Sequence, residues 1–170
     1  RERLEAKSYL HKGLRVLFVD EAAGTKQEFL HSGGIADYLQ KISTDRQKPT
    51  LCPAVYVERG GEGGTTRFEL AFLWSEGEGE LIKSFVNGIP TPSGGTHENG
   101  LKAGLVKGVR NYMDTHGLLP KGLSLTAEDI RDGLCAILST YVREPQFQGQ
   151  TKERLNNPEV TGELDGAVRT

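Results

Sequence analysis

Apolar positions change period several times along the 170 residues, and each change marks a predicted element. Between Arg67 and Trp74 they alternate: Phe68, Leu70, Phe72 and Trp74 share one side, Arg67, Glu69, Ala71 and Leu73 the other. A period of two places successive side chains on opposite faces of a strand, so the first set is predicted to lie on a core. Shorter apolar runs predict strands at 14–20, 54–58, 80–86 and 135–142, with 27–31 pairing back on the first as a hairpin. Elsewhere the period is helical. Ile35, Tyr38, Leu39 and Ile42 fall on one face after Gly33-Gly34, and Leu101, Leu105, Val109, Tyr112 and Met113 on one face of a helix from about 97 to 115. Residues 1–11 read as the end of a helix stopped by Gly13. Thr126 with Asp129 three residues on is a capping-box signature, and Gly133 closes the helix it opens.

Gly60 to Gly64 is predicted to be a hairpin tip, because no Lys-Ser/Thr pair follows it to open a phosphate-binding helix. Residues 87–95 form a loop rich in Pro and Gly, and the residues after Lys152 read as a polar C-terminal segment. The fold class is therefore α+β, a mixed sheet covered by helices on one face. One domain is expected over 1–170. It divides into a helix tail at 1–13, a hairpin-rich region at 14–86, a loop-helix-helix-strand region at 87–142, and a loop with the start of a C-terminal segment at 143–170.

Composition narrows the partners. A net charge of −2 rules out the chain as a general nucleic-acid magnet, so any polyanion contact must be local. No apolar run approaches the ~18 residues of a membrane span, and no membrane partner is expected. Cys52 and Cys135 sit in apolar runs without metal-ligand spacing, which predicts buried thiols and a cytoplasmic setting. His11, His31, His97 and His116 are scattered, so no metal site is expected. The chain opens at Arg1 inside a helical pattern and stops at Thr170 in a polar stretch, as an internal domain of a longer protein would.

Three places carry candidate chemistry. Gln150 and Lys152 lie two apart on a loop; in an extended backbone they point the same way and could grip one anion, although a solvated loop with an ordinary lysine fits the same tripeptide. Gly94-Gly95-Thr96-His97 precedes a helix, where backbone N–H groups could meet an anion; alternatively the glycines allow a tight turn, Thr96 caps and His97 packs. Lys102 falls among apolar positions in the helix's first turn, where it either snorkels or faces a cavity.

The blocks Ser84-Phe85-Val86-Asn87-Gly88-Ile89-Pro90-Thr91-Pro92-Ser93-Gly94-Gly95-Thr96-His97 and Gly100-Leu101-Lys102-Ala103 are followed in order by two more. These are Thr126-Ala127-Glu128-Asp129-Ile130-Arg131-Asp132-Gly133-Leu134 and Pro145-Gln146-Phe147-Gln148-Gly149-Gln150-Thr151-Lys152. Together with Tyr9-Leu10-His11-Lys12-Gly13, the series resembles the second domain of bacterial type II topoisomerase B subunits, those of DNA gyrase and topoisomerase IV. The resemblance implies a transducer domain with a left-handed β-α-β crossover. It implies that Gln150 and Lys152 reach the γ-phosphate of ATP in a separate N-terminal domain of the GHKL type, which also holds Mg2+, and that Lys152 neutralises transition-state charge. It implies a second B subunit, an A-type subunit and double-stranded DNA as partners, with Lys102 facing the DNA cavity where family members carry a basic residue. The parent subunit would be an ATP-hydrolysing isomerase, with this piece inactive alone. A stand-alone nucleic-acid or protein-binding module of the same fold, or the second domain of another GHKL ATPase, is the competing expectation.

Overall fold

A computed structural model describes residues 1–60 and 66–169. In chain order it contains α1 (Glu2–Leu10), β1 (Val16–Asp20), β2 (Thr25–Phe29), α2 (Ile35–Arg46), β3 (Val55–Arg59), β4 (Thr66–Trp74), β5 (Leu81–Val86), β6 (Ile89–Pro90), α3 (Thr96–Thr115), α4 (Ala127–Arg131), β7 (Leu134–Val142) and α5 (Pro158–Arg169). Strands β1 and β2 form a separate hairpin, and the other five form one sheet in the order β3-β4-β7-β5-β6. Within that sheet β5 and β7 run parallel, and the crossover between them carries β6, α3 and α4. The sheet is thus mixed and the class is α+β, as the sequence predicts. The hairpin tip expected at Gly60–Gly64 falls mostly outside the described residues, although β3 and β4 on either side pair antiparallel.

The sheet is covered on both faces, not on one. Phe68 and Leu70 of β4 and Leu134, Ala136 and Leu138 of β7 pack with Leu101 and Leu105 of α3 and Val160 and Leu164 of α5. The alternate residues Ala71, Leu73, Cys135 and Ile137 pack with Leu10 of α1 and with Ile35, Leu39 and Ile42 of α2. The reason is visible in β4 itself: Ala71 and Leu73 are apolar too, so its second side also needs a cover. Cys135 is buried and Cys52 partly so, both as free thiols.

Two elements differ from the sequence reading. The loop at 87–95 begins with a two-residue hairpin: Asn87 and Gly88 both have positive φ (50° and 74°), and Val86 pairs with Ile89. That is the dihedral signature Asn-Gly is suited to. The second difference is α5, which the polar composition after Lys152 conceals. Val160 and Leu164 are fully buried along it. Its partner is a stripe of glycines on α3. A Cβ on Gly100 would stand 2.6 Å from Thr161 O, and one on Gly104 would stand 2.9 Å from Val168 Cβ. Moving up α3 from Gly100 to Gly108, the opposing residues climb from Thr161 to Arg169, so the helices run parallel in close contact. Glycine lowers helix propensity by about 1 kcal/mol relative to alanine. Here it is what lets the backbones meet.

Candidate functional site

The loop that carries Gln150 and Lys152 leaves β7 at Val142 and returns into α5, and it is braced at both limbs. Asn157, buried immediately before α5, accepts from Gln146 N through Oδ1 (2.6 Å) and donates through Nδ2 to Glu144 O (3.1 Å) and Glu159 Oε1 (2.8 Å). Above it Phe147 bridges Leu155, with Asn156 N on Gln146 O (2.8 Å) and Gln148 N on Arg154 O (2.9 Å). Residues 149–153 project beyond this ladder.

The return limb is also stitched to the start of α3. Ser93 N donates to Glu153 O (3.1 Å), Leu155 N to Gly94 O (3.1 Å) and Thr96 N to Leu155 O (3.1 Å). Arg154 Nη1 donates to Ser93 O (2.8 Å). Gly95, with φ 139°, is where the two backbones come closest: a Cβ there would lie 2.3 Å from Leu155 O. The Gly94-Gly95 block and the Gln150-Thr151-Lys152 block, some fifty residues apart in sequence, are therefore one structure.

The tip itself is a turn. Gly149 (φ 79°) and Lys152 (φ 56°) are both left-handed, so the extended-strand alternation expected to align Gln150 and Lys152 does not apply. The chain must reverse here for Phe147 and Leu155 to pair. A left-handed lysine costs roughly 1–2 kcal/mol. Such strain persists only where the surroundings over-determine it, and here the bonds at both limbs do so. Gln150, Thr151 and Lys152 are exposed, and among the described residues neither the Gln150 nor the Lys152 side chain has a hydrogen-bonding or ionic partner. The tip so offers amide donors and an ammonium with no internal acceptor to satisfy them. A cleft of about 730 Å³ adjoins it, lined by α1, β5, β6, Thr151 and Glu153.

The other candidates resolve differently. Gly95, not Thr96, is the N-cap of α3, and the Thr96 hydroxyl has no partner among the described residues. The N–H groups of Gly94 and Thr96 are already bonded to Thr91 O and Leu155 O, so they do not face an external anion. His97 is fully buried, with Nε2 3.0 Å from Thr91 Oγ1. Burial, and then the charge of Arg154, lower its pKa to about 4. A histidine held neutral below its unfolded value of about 6.5 favours folding above that value and opposes it as pH falls towards 4. Between pH 7 and pH 5 it is expected to remove about 2 kcal/mol of stability. Urea titrations of wild type and His97→Gln at both pH values check this, since the glutamine variant should lack that increment.

Lys102 is paired: Nζ lies 2.6 Å from Glu80 Oε1 and 4.0 Å from Glu98 Oε2, and Arg131 Nε lies 2.9 Å from Glu80 Oε2. Its ammonium stands in a cluster with Glu80, Glu98 and Arg131, and Arg131 also pairs with Glu128 at 3.8 Å. The capping box at Thr126 forms as predicted, with Asp129 N on Thr126 Oγ1 (3.1 Å) and Thr126 N on Asp129 Oδ2 (2.8 Å). Sequence reasoning overlooks Asn157, Arg154 and Glu98. The one signal in the chain is the Gly-Gly pair, which marks a place where another backbone can approach. Among the described residues no group of three or more His, Cys, Asp or Glu could hold a metal ion, and no helix is long and apolar enough to cross a membrane.

Comparison with known proteins agrees with this architecture. The DNA gyrase B family matches residues 34–170. The chain is 38% identical to the DNA gyrase B subunit of Chlamydia muridarum over 99% of its own length and 22% of that protein. It is equally similar, at 38%, to the DNA topoisomerase 4 B subunit of Escherichia coli strain K12, covering 98% of this chain and 26% of that one. Among solved structures, the 43K ATPase domain of Thermus thermophilus gyrase B in complex with an aminocoumarin superposes with a TM-score of 0.86 at 30% identity, over 99% of this chain and 45% of that one. The topoisomerase IV ATP-binding domain of Francisella tularensis gives a TM-score of 0.81 at 31% identity, over 99% and 44%. The chain spans about a quarter of the length of these curated relatives. With its mixed sheet, its braced tip and a match over residues 34–170, the chain belongs to the DNA gyrase B family.

Proposed function

We propose that this chain is the transducer domain of the ATPase region of a bacterial type II topoisomerase B subunit. The observation that carries the reading is the doubly braced tip, which holds a strained Lys152 and Gln150 in solvent with no internal partners among the described residues. An ammonium and a neutral amide suit a terminal phosphate: the first is a compact point charge, the second a donor without charge. In this reading they contact the γ-phosphate of ATP held, with Mg2+, by an N-terminal ATPase domain of the same subunit. Phosphoryl transfer depends on positioning and on neutralising charge that develops in the transition state, which is the part assigned to Lys152. The nucleotide-binding groups lie on that other domain, so this piece alone is inactive.

A contact made only with the γ-phosphate is lost on hydrolysis. The loop thereby ties the relative placement of two domains to the nucleotide state. Two such subunits then close as a dimer around a DNA duplex, in company with an A-type subunit, and strand passage follows. Lys102 borders the path of that duplex, and phosphates would compete there with Glu80 for its ammonium. The test is sedimentation of the intact subunit. A nonhydrolysable ATP analogue is expected to produce dimers where ADP leaves monomers. The same association state in both would defeat the proposal.

A further inference from the structure

Beneath the loop's seat lies a run of buried polar side chains that apolar packing does not account for. Ser84 of β5, Thr91 after β6 and His97 of α3 are 5%, 1% and 0% exposed. Ser84 Oγ donates to Glu98 Oε1 at 2.6 Å, Thr91 Oγ1 lies 2.7 Å from Ser84 Oγ, and His97 Nε2 lies 3.0 Å from Thr91 Oγ1. The carboxylate sets the direction of this chain. The Ser84 hydroxyl donates to Glu98 Oε1 at 2.6 Å, closer than its other acceptor, Thr91 O, at 3.2 Å. Ser84 Oγ then accepts from the Thr91 hydroxyl, and Thr91 Oγ1 accepts from His97 Nε2–H. The network assigns the Nε2–H tautomer and leaves Nδ1 an unprotonated acceptor, with no partner among the described residues.

The Thr91–His97 bond spans residues 92–96. Those residues supply the contacts to the loop's return limb: Ser93 N and O, Gly94 O and Thr96 N. Inside that span Gly94 N closes a turn on Thr91 O at 2.9 Å. A side-chain bond across a segment with two glycines removes freedom the backbone would otherwise keep. Burying three polar side chains for stability alone gains little over apolar packing, whereas a directed chain of bonds specifies one geometry.

We infer that Thr91 and His97 are positioning residues: the hydrogen bond between them holds residues 92–96 in the shape that seats the Gln150–Lys152 tip. The inference rests on the γ-phosphate role proposed for that tip. In the intact subunit, affinities for a nonhydrolysable ATP analogue and for ADP are measured by equilibrium binding. The variants are Thr91→Val, Thr91→Ser and Lys152→Ala. Thr91→Val keeps the shape and removes the hydroxyl. It is expected to lower the preference for the analogue over ADP about tenfold, a change of ~1.4 kcal/mol. Thr91→Ser should restore it. A Thr91→Val protein that keeps the wild-type preference while Lys152→Ala loses it overturns the inference and leaves the tip's role standing. If Lys152→Ala also keeps the preference, the role of the tip falls, and the inference with it. Should Thr91→Val not fold, His97→Phe removes the other partner of the same bond, and its result is read the same way.

Discussion

Replacing Lys152 with alanine in the intact subunit is expected to lower ATP turnover by about 10²–10³-fold while leaving the fold intact. The magnitude follows from what one preorganised donor contributes to a transition state, roughly 3–4 kcal/mol in a water-excluded site. The stability side follows from the position of the residue. Its side chain is exposed and has no partner among the described residues, so truncation removes no internal contact. Exposed substitutions of this kind usually stay within about 0.5 kcal/mol. ADP lacks the γ-phosphate proposed as the partner of Lys152, so its affinity should stay within about twofold of wild type. Gln150→Ala removes a neutral donor and should cost about tenfold, less than the charged group. Steady-state turnover with thermal unfolding on the same preparations separates the two effects. Full turnover in Lys152→Ala would end the charge-neutralising role.

Gly95→Ala is expected to destabilise the protein by about 3 kcal/mol or more, the largest stability effect of any methyl added to the site. Two terms contribute. The backbone sits at φ 139°, where L-residues are rarely found, and the added Cβ would stand 2.3 Å from Leu155 O and 2.6 Å from Leu155 N. Those atoms are backbone, so no side chain can rotate aside. Relief requires Leu155 to withdraw, which breaks the Thr96 N–Leu155 O and Leu155 N–Gly94 O bonds and pulls a fully buried leucine from the core. Gly117→Ala is the control. It also has a positive φ, 61°, but nothing lies within 4 Å of its Cβ, so only the left-handed cost of about 1 kcal/mol applies. Denaturant titration of both variants tests the difference. Equal small losses would mean that the seat yields easily. Hydrogen exchange should also show the amides of Ser93, Leu155 and Thr96 losing protection in Gly95→Ala alone.

Much of the frame is legible in the order of residues. The alternation in Arg67–Trp74, the apolar run that forms β7 and the Thr126–Asp129 box each report interactions between residues a few positions apart, and each forms where expected. The cover on the second face is less legible. Ala71 and Leu73 point to it, but the longer apolar set opposite them carries the stronger signal and suggests a single core face. Helix α5 is hidden by Gly162, Gly166 and its polar residues, because a helix whose partner is a glycine stripe needs only a narrow apolar edge. The site is legible in part. The residue types at Gln150 and Lys152 suggest an anion, whereas the extended geometry expected for them gives way to a left-handed turn.

Local chemistry is thus settled by order along the chain: the strand periods, the helix cap, and an amide and an ammonium near one loop tip. Their consequences are settled in three dimensions. Whether Lys102 is free or matched depends on Glu80, twenty-two residues away. Whether the loop is slack or held depends on Gly95 admitting Leu155, sixty residues on. Side-chain periodicity records which residues leave water. It carries no information about which distant backbone then comes close enough to bond, and that approach is what shapes the candidate site.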